Sequence, residues 1–173
     1  MSIMTYPIRT AAVLATLALA TTPAMAQRIV PFHDQGRALA EQLADALDAD
    51  ADGMIDAAEL DGFAAAVFAS VDRDGDGAMT AEELASWRYG MADIAAFRGR
   101  EEAFETTIAL VHDIFDRDND RRVTPAEHAA AIAHSADYAD LDGDGVLTRE
   151  EYLDGFVFNV AMRNALVPRR GEP

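Results

Sequence analysis

DRDGDGAMTAEE, running from Asp72 to Glu83, is the stretch that decides how this chain reads. Acids stand at its first, third, fifth and twelfth positions, with glycine at the sixth. The pattern occurs four times, over residues 48–59, 72–83, 116–127 and 140–151. The starts are 24, 44 and 24 residues apart, so the chain reads as a duplicated pair. Position eight is apolar in each copy (Ile55, Met79, Val123, Leu147). Position six is glycine in three copies and Arg121 in the third.

Acids at positions one, three and five converge only where the backbone wraps round a common centre. Position six then has to turn sharply, which suits glycine. A hard cation such as Ca²⁺ takes six to eight oxygens at about 2.3–2.6 Å, and a glutamate at position twelve is long enough to bind it with both oxygens. Position seven offers only its carbonyl, so its side chain is free to vary, as it does among Met54, Ala78, Arg122 and Val146. A second reading competes for part of the pattern. Thr80-x-x-Glu83, Thr124-x-x-Glu127 and Thr148-x-x-Glu151 are capping boxes that start helices with or without a metal. Capping leaves the acids at positions one, three and five unexplained, and clustered carboxylates repel without a counter-ion.

The stretches between the loops carry helical apolar stripes. Leu60, Phe63, Ala64, Val67, Phe68 and Val71 make one clean face. Leu39, Leu43 and Leu47 lead into the first loop, and Phe104, Ile108, Val111 and Phe115 into the third. Leu84, Trp87, Met91 and Ile94 predict one continuing face after the second loop. Tyr152, Phe156 and Val160, with Val157, predict one last helix. Residues 129–139 are alanine-rich and weakly patterned, Arg98-Gly99-Arg100 marks a break, and 168–173 reads as a frayed tail. No segment reads as a long strand, and the fold class expected is all-α.

Four such loops flanked by helices resemble the EF-hand family of calcium-binding proteins, over nearly all of the chain after residue 26. The resemblance carries ligands over by position. They are Asp48, Asp50, Asp52, Asp56 and Glu59, with the Met54 carbonyl, in loop 1. In loop 2 they are Asp72, Asp74, Asp76 and Glu83, with the Ala78 carbonyl and Thr80 acting through a water. Loop 3 offers Asp116, Asp118, Asp120 and Glu127, with the Arg122 carbonyl. Loop 4 offers Asp140, Asp142, Asp144 and Glu151, with the Val146 carbonyl and Thr148 through a water. Loop 3 is expected to be the weakest site or an empty one. A left-handed backbone at Arg121 costs about 1–2 kcal/mol, and two arginines beside a divalent ion oppose its binding.

Spacing bears on pairing. Only twelve residues lie between Glu59 and Asp72, and twelve between Glu127 and Asp140. Twelve helical residues span roughly 18 Å. One helix therefore leaves one loop and enters the next, and sequence neighbours sit at its opposite ends. The 32 residues from Leu84 to Phe115 have room to fold back at Gly99. The expectation is a crossed arrangement, loop 2 with loop 3 and loop 1 with loop 4, over two lobes joined by one long helix. This spacing is similar to that of the lanmodulins, exported bacterial EF-hand proteins. Their loops carry proline at position two, where this chain has Ala49, Arg73, Arg117 and Leu141, so lanthanide selectivity is not implied.

Composition narrows the rest. The net charge is −17, with no lysine and 14 arginines, which disfavours nucleic acid and anionic membranes and favours cations. Residues 1–26 read as a signal peptide: Arg9, the apolar run 11–20 and Ala24-Met25-Ala26 as cleavage site. Cleavage leaves residues 27–173 as one four-loop domain, periplasmic or secreted, with no membrane span. There is no cysteine, so something other than disulfides has to staple this exported domain, and metal ions would serve. His33, His112, His128 and His134 show no metal-site spacing and are expected to be solvated or capping. No phosphate loop, no G-x-S-x-G and no nucleophile with an evident base is present, so an enzyme is not expected. The function expected is calcium binding for buffering, storage or stabilisation of the fold, with metal-free protein loose. A calcium-dependent sensor of a periplasmic protein partner is the alternative, although Met54 and Met79 lie inside loops and leave only Met91 and Met162 for a groove. A lanthanide carrier is a further one, and Mg²⁺ a further ion.

Overall fold

The computed structural model describes residues 35–87 and 91–167. The segment read as a signal peptide, His33 and the tail 168–173 lie outside the described residues. Along the chain come α1 (Gln35–Leu47), β1 (Met54–Ile55), α2 (Ala57–Val71), α3 (Ala81–Ser86), α4 (Met91–Phe97) and α5 (Glu101–Phe115). There follow α6 (Pro125–Ala139), β2 (Leu147–Thr148), α7 (Arg149–Gly155) and α8 (Val157–Ala165). The protein is all-α, with β-structure confined to short contacts between loops. Among the described residues no helix is long and apolar enough to cross a membrane.

α2 and α6 are each one unbroken helix of 15 residues, roughly 22 Å long, joining one loop to the next. Both start from a capping box, Asp56 with Glu59 and Thr124 with Glu127, and α6 adds Pro125 in its first turn. They pack on each other. The duplication shows in register: Leu60, Ala64, Phe68 and Val71 are buried on α2, and His128, Ile132, Ala136 and Ala139 at the corresponding places on α6.

The loops pair in the crossed fashion. β1 lies antiparallel to β2, with Met54 opposite Thr148 and Ile55 opposite Leu147, which joins loops 1 and 4. Met79 and Val123 exchange two backbone hydrogen bonds, 2.8 and 2.9 Å, which joins loops 2 and 3. The position-eight side chains Ile55, Met79, Val123 and Leu147 are all at most 2 % exposed.

Two helices expected to be continuous are broken. α3 ends at Ser86 because Trp87 is extended, with ψ 112°, and its indole N–H reaches back to Ser70 Oγ at 3.0 Å. α7 ends at Gly155 because Phe156 is extended, with ψ 108°. That kink leaves Phe156 and Phe158 both buried, 5.9 Å apart between ring centroids, and turns Val157 outward. A straight helix would spread those rings round its circumference. Gly155 also lies so close to α6 that a Cβ there would sit 3.0 Å from Ala139 Cα. The expected break at 98–100 is present as a C-terminal turn of α4. Gly99 is left-handed at φ 61°, with Arg100 N–H on Ala95 O and Gly99 N–H on Ala96 O. Arg98 and Arg100 then donate to the carbonyls of Leu166 and Ala165 at the end of α8, where cations suit the helix dipole.

Candidate metal centre

All four loops are built by one set of hydrogen bonds. The first aspartate accepts the position-six N–H: Gly53 to Asp48 Oδ2 at 3.0 Å, Gly77 to Asp72 at 3.0 Å, Arg121 to Asp116 at 2.8 Å and Gly145 to Asp140 at 2.9 Å. The fifth-position aspartate accepts the position-seven N–H, so Met54, Ala78, Arg122 and Val146 follow directly on Asp52, Asp76, Asp120 and Asp144. These inward N–H groups require left-handed backbone at position six, from +69° at Arg121 to +89° at Gly53. They require it at position four as well, where Ala51 and Asn119 lie at φ 60°. The position-four demand was missed from sequence. Its signal is there: Gly75, Gly143 and Asn119 are residues that tolerate this region, and Ala51 is the one that does not.

The position-twelve glutamate clamps each loop. Its Oε1 accepts from the position-two N–H: Ala49 at 2.7 Å, Arg73 at 3.0 Å, Arg117 at 3.1 Å and Leu141 at 2.9 Å. Its Oε2 accepts from the position-nine N–H, from Asp56, Thr80, Thr124 and Thr148. A proline at position two would remove the first of these donors, so the non-proline residues there are part of how these loops are held. The hydroxyls of Thr80, Thr124 and Thr148 are engaged with the same glutamates as caps. Donation, first from the threonine N–H groups, holds Glu83, Glu127 and Glu151 below the usual carboxylate range.

The structure brings carboxylate oxygens to within 4.8 Å of one another in each loop. The groups are Asp48, Asp50 and Glu59; Asp72, Asp74 and Asp76; Asp116, Asp118 and Glu127; and Asp140, Asp142 and Glu151. Asp52, Asp120, Asp144 and Glu83 stand outside these tight groups. All donors are oxygens, with no thiolate or imidazole among them, and such a set fits a hard cation of the calcium type.

Loop 3 departs from expectation in one respect. Arg121 does take the left-handed backbone. Arg122, however, acts mainly on the neighbouring loop, with Asp120 of its own loop a weaker influence on it. Its guanidinium crosses to loop 2, where Nη2 donates to Asp76 Oδ2 at 2.7 Å. This guanidinium, followed by the Ala78 N–H, lowers the Asp76 pKa. The histidines also differ from expectation. His134 is exposed, stacked edge-on against Tyr138, whereas His112 and His128 are buried. His128 sits between Phe68 and Phe115, and burial lowers its pKa to about 4. Its place in the repeat, equivalent to buried Leu60, was the available signal.

Residues 45–64, 63–86 and 137–157 match the family model described as EF hand. Compared with curated proteins, the chain finds no match. The matched segments hold loops 1, 2 and 4, which are EF hands, and loop 3 repeats their hydrogen bonds.

Proposed function

We propose that this protein is exported and binds calcium as a buffer or store, or takes its stable fold from the ion. The observation that carries the reading is the convergence of three carboxylate oxygens within 4.8 Å in each of four loops. Acids held that close repel one another until a cation neutralises them, so binding and ordering are coupled. The ligands proposed are those at positions one, three, five and twelve of each loop, with the position-seven carbonyl and Asp56 in loop 1. Mg²⁺ suits these loops less well, since it prefers fewer carboxylates in strict octahedral geometry. Export rests on the signal-like character of residues 1–26.

The test is thermal melting of residues 27–173, followed by circular dichroism, with excess calcium and with chelator. Ion binding to several sites at about 100 times Kd should raise the melting temperature by roughly 15 °C or more. Identical melts overturn the reading. Competitive titration of Ca²⁺ against La³⁺ distinguishes a calcium protein from a lanthanide carrier.

A second reading, a calcium-dependent interaction protein, is favoured by one feature. An apolar cavity lies between Phe63 and Val67 of α2, Trp87, Met91 of α4 and Met162 of α8. Met91 and Met162, the two methionines outside the loops among the described residues, line it, which suits an adaptable binding surface. A sensor gains signal from a dye for exposed apolar surface when calcium is added, and a buffer does not.

A further inference from the structure

We propose that Arg122 is a resident counter-cation of loop 2, supplied by loop 3, and that it sets the metal affinity of loop 2 below that of loops 1 and 4. This rests on the reading of the loops as metal sites. Arg122 belongs to loop 3 by its backbone, because its N–H donates to Asp120 Oδ1 at 2.8 Å. Its neighbour Val123 is fixed to Met79 of loop 2 by the two hydrogen bonds of the bridge. That geometry delivers the Arg122 side chain to the partner loop. Its guanidinium lies 2.7 Å from Asp76 Oδ2, while Asp76 Oδ1 accepts the Ala78 N–H at 3.0 Å. Both oxygens of the loop 2 position-five carboxylate are therefore engaged.

Loop 2 is also the loop whose closest carboxylates include the position-five residue, Asp72, Asp74 and Asp76. The arginine thus contacts a member of the group an ion would have to use. A guanidinium keeps its charge at any working pH. An incoming divalent ion must share Asp76 with it and bear its repulsion. The pair is half-exposed, with side chains 45 % and 39 % accessible, so the solvent-screened ion pair yields to a divalent ion without blocking it. The positions equivalent to Arg122 in the other loops are Met54, Ala78 and Val146, none of them charged. Loops 1 and 4 carry no such cation from that position.

The test is calorimetric calcium titration of the chain from residue 27, with loop 3 silenced by Glu127→Gln, which keeps the helix cap. The loop 2 step is identified as the one lost on adding Glu83→Gln. Adding Arg122→Gln to Glu127→Gln should tighten the loop 2 step by roughly fivefold and leave the steps of loops 1 and 4 unchanged. Arg122→Lys should keep it weak. In an Asp76→Asn background the same Arg122→Gln substitution should change little. A loop 2 step indifferent to Arg122→Gln, or tightened as much without Asp76, overturns this proposal and leaves the metal reading intact. Parent protein that takes up no calcium overturns both.

Discussion

The two loop pairs are held together by different means. Loops 1 and 4 share a two-residue antiparallel ladder, with apolar Met54 and Val146 at position seven. Their flanking helices are tied by arginines: Arg149 bonds Asp45 and the Glu41 carbonyl of α1, and Arg37 of α1 bonds Asp154 of α7. Loops 2 and 3 share one bridge, Met79 with Val123, and a single cation crossing from one loop to the acids of the other. In the first pair Arg149, at position ten of loop 4, turns out to α1, and in the second Arg122 turns onto a position-five carboxylate of the partner loop. On the proposal above, where that charge sits relative to the carboxylates makes the second pair unequal, although all four loops share one backbone plan.

Replacing the position-eight side chains probes the apolar part of that contrast. Leu147→Ala empties a fully buried site in the ladder and should cost about 3–4 kcal/mol. Val123→Ala, at 0 % exposure in the other pair, removes less volume and should cost about 2 kcal/mol. Denaturant unfolding in saturating calcium measures both. Equal losses would mean that the volume removed does not set the cost at these two sites.

The two inter-loop helices allow a comparison by pH. Leu60 on α2 is matched by His128 on α6, and burial lowers the His128 pKa from 6.5 to about 4. Between those values the unfolded chain takes up a proton that the folded protein refuses, so stability is full above about pH 6.5 and falls as pH drops towards 4. His128→Leu, which makes α6 resemble α2, should gain about 2 kcal/mol on the parent protein between pH 7 and 5. A parallel pH dependence in the two proteins would show that His128 is charged in the fold. The smallest effect expected is at the strained backbone of loop 3. Arg121→Gly relieves the left-handed conformation but frees the unfolded chain, so the net gain should be under about 1 kcal/mol, with tighter calcium binding at that loop. Ala51→Gly should match it in loop 1. A gain at Arg121 alone would trace the fault to charge and not to backbone.

Much of this was legible in the sequence because it depends on spacing. Twelve residues between Glu59 and Asp72 leave no room for two helices, so length argues against pairing of sequence neighbours, and the crossed arrangement was the expectation that the bridges then met. The candidate ligands stand out because acids at alternate positions beside glycine have few other uses. What escaped depends on three-dimensional neighbours. Trp87 and Phe156 look helical by periodicity, and only the positions of Ser70 and Phe158 show why the chain turns there. The direction of Arg122 cannot be read from loop 3, since its partner lies 46 residues away in loop 2. His128 looked polar, and its burial follows from the rings of Phe68 and Phe115 on either side.

The crossed pairing also bears on how the chain assembles. Met79 and Val123 are 44 residues apart, whereas Met54 and Thr148 are 94 apart and enclose them. Closing the inner pair shortens the outer closure, and α2 and α6 then carry loops 1 and 4 towards each other as arms of a clasp. Severing the chain near Gly99 would leave each half with two loops and no partner for either. Neither half holds a complete loop pair, and a nascent chain has to reach loop 4 before loop 1 can be paired.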